Sequence, residues 1–140
     1  MQVKEIMTSR PHYLGEEATI REVAEAMRDN ASGFELLTNE QKVIGVVTDR
    51  DIVVKGLTAG VALDSPAKDL ASSKVLYTFE DNSVEDALGD MSRNQVQRLL
   101  VLDDADSKQL VGIITIGDIA EKCRDKNLSD QLVSAIRCYH

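Results

Sequence analysis

Apolar residues recur along this chain in two rhythms, and each rhythm appears twice. Ile20, Val23, Ala24 and Met27 follow i, i+3, i+4, i+7 spacing, as do Val84, Ala87, Leu88 and Met91. Each set predicts one apolar stripe on a helix. In front of the stripes stand Thr19-Ile20-Arg21-Glu22 and Ser83-Val84-Glu85-Asp86. A hydroxyl followed three residues later by a carboxylate is a capping box, which satisfies backbone donors that a helix start leaves open. Short unbroken apolar runs follow: Phe34 to Leu37 and Val43 to Thr48, then Leu99 to Leu102 and Leu110 to Thr115. Polar turns separate them, as hairpins require, and their apolar character predicts a sheet covered by helices. Second helices are expected to start at Asp51 and Asp118. Leu128, Leu132, Ala135 and Ile136 predict a final short helix.

The two halves align. At an offset of 64 residues Lys4-Glu5-Ile6 meets Lys68-Asp69-Leu70, Tyr13 meets Tyr77, and Met27 meets Met91. At an offset of 67, Val43-Ile44-Gly45-Val46-Val47-Thr48 meets Leu110-Val111-Gly112-Ile113-Ile114-Thr115, and Asp51-Ile52 meets Asp118-Ile119. The three-residue insertion falls in the turn Asp103-Asp104-Ala105-Asp106-Ser107. The predicted class is α+β, with the order strand, helix, strand, strand, helix used twice. The copies span residues 1–63 and 64–126, with a helical tail at 127–140. Ser65-Pro66 lies in the linker.

Composition narrows the function. The chain has 140 residues and a net charge of −8. That balance argues against nucleic-acid binding, which needs clustered Lys and Arg. No apolar stretch approaches membrane-span length and no signal peptide opens the chain, so a cytoplasmic protein with no membrane partner is expected. Cys123 and Cys138 lack the spacing of a disulfide framework or zinc site and are expected to be reduced thiols. His12 and His140 have no evident ligand cluster. No P-loop, metal-ligand cluster or histidine–nucleophile arrangement points to an enzyme.

The most informative residues close the third strand of each copy: Gly45-Val46-Val47-Thr48-Asp49-Arg50-Asp51 and Gly112-Ile113-Ile114-Thr115-Ile116-Gly117-Asp118. Thr-x-x-Asp after a strand is, alone, most often a helix cap. Its duplication at equivalent positions supports a binding role as well. A carboxylate can hold a ribose cis-diol, while a threonine hydroxyl and helix amides can face phosphate oxygens.

On these motifs and the repeat, the sequence resembles a tandem pair of cystathionine-β-synthase-type (CBS) domains, a Bateman module, over residues 1 to about 126. Thr48-Asp49-Arg50-Asp51-Ile52-Val53-Val54-Lys55-Gly56-Leu57 is especially similar to stand-alone bacterial members. The resemblance implies two β-α-β-β-α motifs packed sheet to sheet with pseudo-twofold symmetry, with clefts for adenosine-containing ligands such as AMP, ADP, ATP, S-adenosylmethionine or NAD-type molecules. It implies that Asp51 and Asp118 hold ribose hydroxyls and that Thr48 and Thr115 contact ribose or phosphate. The backbone near Tyr13-Leu14 and Tyr77-Thr78, with the strand starts at Phe34 and Arg98, would line adenine pockets. A homodimer, and a separate regulated protein as partner, are implied in the same way.

The chain departs from the family pattern where many relatives carry proline. Glu16 and Glu80 stand before the first helices, and Glu35 or Leu36 and Leu100 stand in the second strands. Carboxylates near a cleft would oppose a polyphosphate. Arg98 and Lys74 favour the second copy, against Gly33 or Phe34 and Arg10 in the first. The expected function is non-enzymatic sensing of an adenine nucleotide. The alternative is a stress-associated interaction protein that acts through its dimer surface without ligand.

Overall fold

The computed structural model describes residues 1–40, 42–73, 75–123 and 128–136. The elements in chain order are β1 (Thr8–Ser9), β2 (Tyr13–Gly15), α1 (Ile20–Asn30), β3 (Phe34–Asn39), β4 (Lys42–Thr48) and α2 (Asp49–Asp51), the last continuing as a π-helix over Ile52–Leu57. Then come β5 (Tyr77–Phe79), α3 (Val84–Asn94), β6 (Arg98–Leu102), β7 (Leu110–Thr115), α4 (Ile116–Lys122) and α5 (Ser129–Ile136). Short 3-10 turns cover Val3–Glu5 and Ala67–Asp69. Strand, helix, strand, strand, helix is therefore present twice. Among the described residues no helix is long and apolar enough to cross a membrane.

The chain divides into two compact units, His12–Val75 and Met1–Pro11 with Leu76–His140. The first holds the sheet β2-β3-β4, with β2 parallel and β4 antiparallel to the central β3. Its core is Ala18, Ile20, Val23, Met27, Leu37, Val47, Ala67 and Leu70, the α1 stripe meeting one face of the sheet. The second unit repeats this as β7-β6-β5 and adds β1 antiparallel to β7. Its core includes Val84, Ala87, Leu88, Met91, Leu99, Val101, Ile114 and Ile119.

These units divide the chain differently from the sequence copies. Residues 1–11, which open the first copy, belong to the second unit. Val3 and Ile6 are buried in its core, the Val3 amide donates to Asn82 O at 2.8 Å, and the Val84 amide donates to Met1 O at 3.0 Å. The matching segment before copy two serves the first unit in the same manner. Ala67 and Leu70 enter its core, the Ala67 amide donates to Ala18 O at 2.9 Å, and the Ile20 amide donates to Ser65 O at 3.0 Å. Each leading segment thus supplies apolar side chains and backbone partners that the following copy in sequence does not use.

The glycine of each motif makes room for these segments. A β-carbon on Gly112 would lie 2.8 Å from Thr8 O and 2.6 Å from Met7 Sδ. On Gly45 it would lie 3.1 Å from Ser72 O and 3.0 Å from Ala71 Cβ. In the first case the neighbour is β1, paired through Thr8↔Ile113 and Ser9↔Gly112. In the second it is a single bridge, with Val46 and Ser72 exchanging both amide–carbonyl bonds at 3.1 and 3.0 Å. At Gly112 only glycine lets the two backbones come this close, while at Gly45 a β-carbon would push the Ala71–Ser72 segment back by a few tenths of an ångström.

Local expectations at the helix starts hold with adjustments. Thr19 Oγ1 accepts from the Glu22 amide and Glu22 returns the bond to the Thr19 amide. Ser83 Oγ accepts from the Asp86 amide. The second helices begin at Asp49 and Ile116, two residues before the positions expected, because Thr48 and Thr115 are the extended cap residues and the aspartates sit in the third helical position. The final helix packs against α3 and α4, with Leu128 and Leu132 against the core. Ile136 is exposed instead. Beneath this helix Leu88 is fully buried, whereas its counterpart Ala24 is exposed in the first unit. Cys123 is a half-buried free thiol. Cys138 and His140 lie outside the described residues, and so does Lys74.

Candidate functional site

Strand register gathers the expected residues at one end of each sheet. In the first unit Phe34 opens β3 directly opposite Thr48, the last residue of β4, and Tyr13 opens β2 beside Leu36. In the second, Arg98 pairs with Thr115 and Tyr77 lies beside Leu100. Alternation along the strands puts Phe34 and Arg98 on the sheet face opposite the core residues Leu37, Leu99 and Val101. The first site end therefore holds Tyr13, Leu14, Phe34, Thr48 and Asp51. The second holds Tyr77, Thr78, Arg98, Thr115 and Asp118.

Each motif closes on itself in a reciprocal box. Thr48 Oγ1 accepts from the Asp51 amide at 3.1 Å, and Asp51 Oδ2 accepts from the Thr48 amide at 3.0 Å. Thr115 and Asp118 repeat this at 3.1 and 3.0 Å. Both aspartate side chains are 15% exposed. One oxygen of each is committed to the cap, and the other, Oδ1, faces a lysine one turn on. Lys55 Nζ lies 3.1 Å from Asp51 Oδ1, and Lys122 Nζ lies 3.7 Å from Asp118 Oδ1. A carboxylate oxygen has two lone pairs, so Oδ1 keeps capacity for a hydroxyl donor.

Three expectations are corrected here. The amides of α2 were expected to face a phosphate, yet the Asp49 amide donates to Gly33 O at 2.9 Å and the Arg50 amide to Asp49 Oδ1 at 2.8 Å. With the Asp51 amide on Thr48, the first turn is satisfied internally. Glu16 stands at the other end of the sheet, where Asn39 Nδ2 donates to it at 3.3 Å. Glu80 likewise follows the far end of β5, with its amide on Leu102 O. Glu35 shares the core-facing side of β3 with Leu37 and is 2% exposed, with His12 Nδ1 at 3.1 Å and Asn30 Nδ2 at 3.4 Å. None of the three faces the site end as the proline departures suggested. Besides Asp51, a carboxylate that does stand at the first site end is Asp49, packed against Gly33, where a β-carbon would come within 3.1 Å of Oδ2.

Among the pocket residues, Tyr13 and Tyr77 are exposed. Thr78 is buried, and its hydroxyl accepts from Asn82 Nδ2 at 3.0 Å, which leaves only its backbone for a ligand. Leu14 packs on the core, and its carbonyl accepts from Thr38 Oγ1 at 3.3 Å. Sequence reasoning missed the two lysines. Their signal was available as a Lys four residues after each motif aspartate, at the same 67-residue offset.

Two stretches of the chain, residues 3–56 and 67–125, match the family model of the CBS domain. The chain belongs to the CBS-domain family. This CBS pair is 34% identical over 119 residues to hypoxic response protein 1 of Mycobacterium tuberculosis, across 84% of this chain and 81% of the relative. A crystal structure of hypoxic response protein I with two coordinated zinc ions superposes with a TM-score of 0.76 at 32% identity, covering 87% of this chain and 98% of that one. The CBS domain protein PAE2072 from Pyrobaculum aerophilum, complexed with AMP, superposes with a TM-score of 0.78 at 28% identity, over 96% and 99% of the two chains. Among the described residues of this CBS pair, no three His, Cys, Asp or Glu side chains cluster closely enough to hold a metal ion.

Proposed function

We propose that this CBS pair is a non-enzymatic, cytoplasmic regulatory module that binds an adenosine-containing ligand, of which AMP is the best fit. The site at Thr115, Asp118, Arg98 and the Tyr77–Thr78 backbone is the tighter of two. The observation that carries this reading is the cross-strand pairing of Arg98 with Thr115, where the first unit pairs Phe34 with Thr48. Asp118 Oδ1 takes a ribose hydroxyl, and the Arg98 guanidinium takes the phosphate. A charge-assisted contact of that kind contributes about 1.5–3 kcal/mol, roughly ten- to a hundredfold in affinity. In the first unit Thr48, Asp51, Tyr13, Leu14 and Phe34 offer the ribose and base contacts, but Asp49 opposes phosphate and the exposed Arg50 offsets it only in part. A monophosphate is preferred over a triphosphate for the same reason. The AMP complex of a relative at 28% identity supports the ligand class.

Calorimetry with AMP and ATP tests this on the parent, Asp118→Asn and Asp51→Asn. Asparagine keeps an oxygen for the threonine amide and so spares the cap. Asp118→Asn should lose more AMP affinity than Asp51→Asn, and equal losses would refute the ordering. The absence of both heat and thermal shift at millimolar AMP would discard the sensing reading, since any ligand of the folded state must stabilise it. The second reading, ligand-independent action through a homodimer or a regulated protein, is favoured by the exposed apolar Val53, Val54 and Leu57 on the π-helix. Sedimentation of a Val53→Asp/Leu57→Asp variant would test it by loss of the dimer.

A further inference from the structure

The chain passes between its compact units twice, at Pro11–His12 and at Val75–Leu76. Each crossing is preceded by a leading segment docked on the unit it is about to leave. Both docked segments are gripped by the lysine beside the motif aspartate. Lys55 Nζ donates to Leu70 O at 3.4 Å and Lys122 Nζ donates to Ile6 O at 3.1 Å. Leu70 and Ile6 are equivalent in the repeat, as are the two lysines, so the same device is built twice. Just downstream, each segment forms its backbone pairing: Ser72 with Val46, and Thr8–Ser9 with Ile113 and Gly112.

We propose that Lys55 and Lys122 are positioning residues that link each motif aspartate to the segment by which the chain leaves that unit, so that occupation of the aspartate is reported to the crossing. The reporting part rests on the adenosyl reading above; the link itself does not. An ammonium has three donors: Lys55 lies within reach of both Asp51 Oδ1 and the Leu70 carbonyl, while Lys122 hydrogen-bonds the Ile6 carbonyl and is held to Asp118 by charge alone. A ribose hydroxyl donating to the second lone pair of Oδ1 draws off part of its charge, loosens its hold on the ammonium, turns the ammonium toward the carbonyl, and tightens the segment. Lys55 is 51% exposed and Lys122 43%, so neither is needed to fill the core, and each can shift between partners at little cost.

Amide hydrogen exchange on the full chain reads this directly. Without ligand, Lys55→Met should speed exchange at the Ser72 amide roughly threefold, the size of a solvent-exposed ionic hydrogen bond, and leave Thr8 and Ser9 unchanged. Lys122→Met should do the reverse, and Lys55→Arg should restore Ser72 protection. Unchanged exchange, or equal changes at both segments in either variant, overturns the link. With saturating AMP the parent should gain protection at Ser72 and at Thr8–Ser9, and Lys55→Met should gain it only at Thr8–Ser9. Gain at Ser72 in Lys55→Met refutes the reporting role. If the parent takes up no AMP, the adenosyl reading and the reporting role fall together, while the ligand-free arm still decides the link.

Discussion

Replacing His12 by leucine should destabilise the protein, while replacing its partner Glu35 by leucine should not. Glu35 is 2% exposed on the core side of β3, with His12 Nδ1 at 3.1 Å and Asn30 Nδ2 at 3.4 Å. At the equivalent positions the second unit has Leu76 and Leu99, both packed into its core, beside the same asparagine at 94. Removing a donor from a buried carboxylate leaves it under-satisfied at a cost of about 1–3 kcal/mol, more for a charged group, with Asn30 as its remaining donor. His12 is itself 54% exposed, so water reaches its side of the pair and the cost drops to about 2 kcal/mol. Removing Glu35 leaves a histidine that water can solvate and puts leucine where leucine already fits in the other unit. Glu35→Leu should be neutral or stabilising, and His12→Leu/Glu35→Leu should exceed the parent by about 1–2 kcal/mol. Urea unfolding of the four proteins at constant pH, read from the midpoints and checked for equal slopes, gives the cycle. A double variant no more stable than His12→Leu, or a His12→Leu cost below about 0.5 kcal/mol, would refute the account of Glu35 as a buried carboxylate held by its histidine.

Gly112→Ala should cost more stability than Gly45→Ala, about 3 against about 1 kcal/mol in the same urea assay, since its β-carbon meets the Thr8 carbonyl at 2.8 Å while that of Gly45 meets Ser72 O at 3.1 Å. Equal costs would show that β1 and the Ser72 bridge yield alike. The Asp103 carboxyl, held below its ordinary value chiefly by the Ser107 hydroxyl and then by the Gln109 and Asp104 amides, should titrate below 3.8 by carbon-detected NMR. Because its folded value is depressed, its stabilisation is present above the unfolded value and is lost as pH falls through the folded one. Ser107→Ala should move the titration back up.

Much of the local architecture was legible without coordinates, because it is decided within a few residues. The boxes at Thr19–Glu22, Thr48–Asp51 and Thr115–Asp118 close over three positions, and the stripes of α1 and α3 follow from helical periodicity alone. The repeat carried the two candidate sites at Asp51 and Asp118 along with it. What only the tertiary structure decided depends on partners far away in sequence. Glu35 looked like a carboxylate near a cleft until register put it on the side of Leu37. Glu16 and Glu80 proved to stand at the opposite sheet end, a matter of strand direction rather than of composition. The leading segments could not be assigned from order along the chain: Val3 and Ile6 find their apolar partners in residues more than 75 positions away, and Gly112 marks the place only when β1 is already beside it. Lys55 and Lys122 were visible as helical neighbours of the aspartates, but their second partners, the carbonyls of Leu70 and Ile6, exist only once those segments have docked. Local hydrogen bonding and periodicity are written in short windows of sequence; which surface a segment buries is settled by the whole set of competing surfaces, and that exists only in the folded chain.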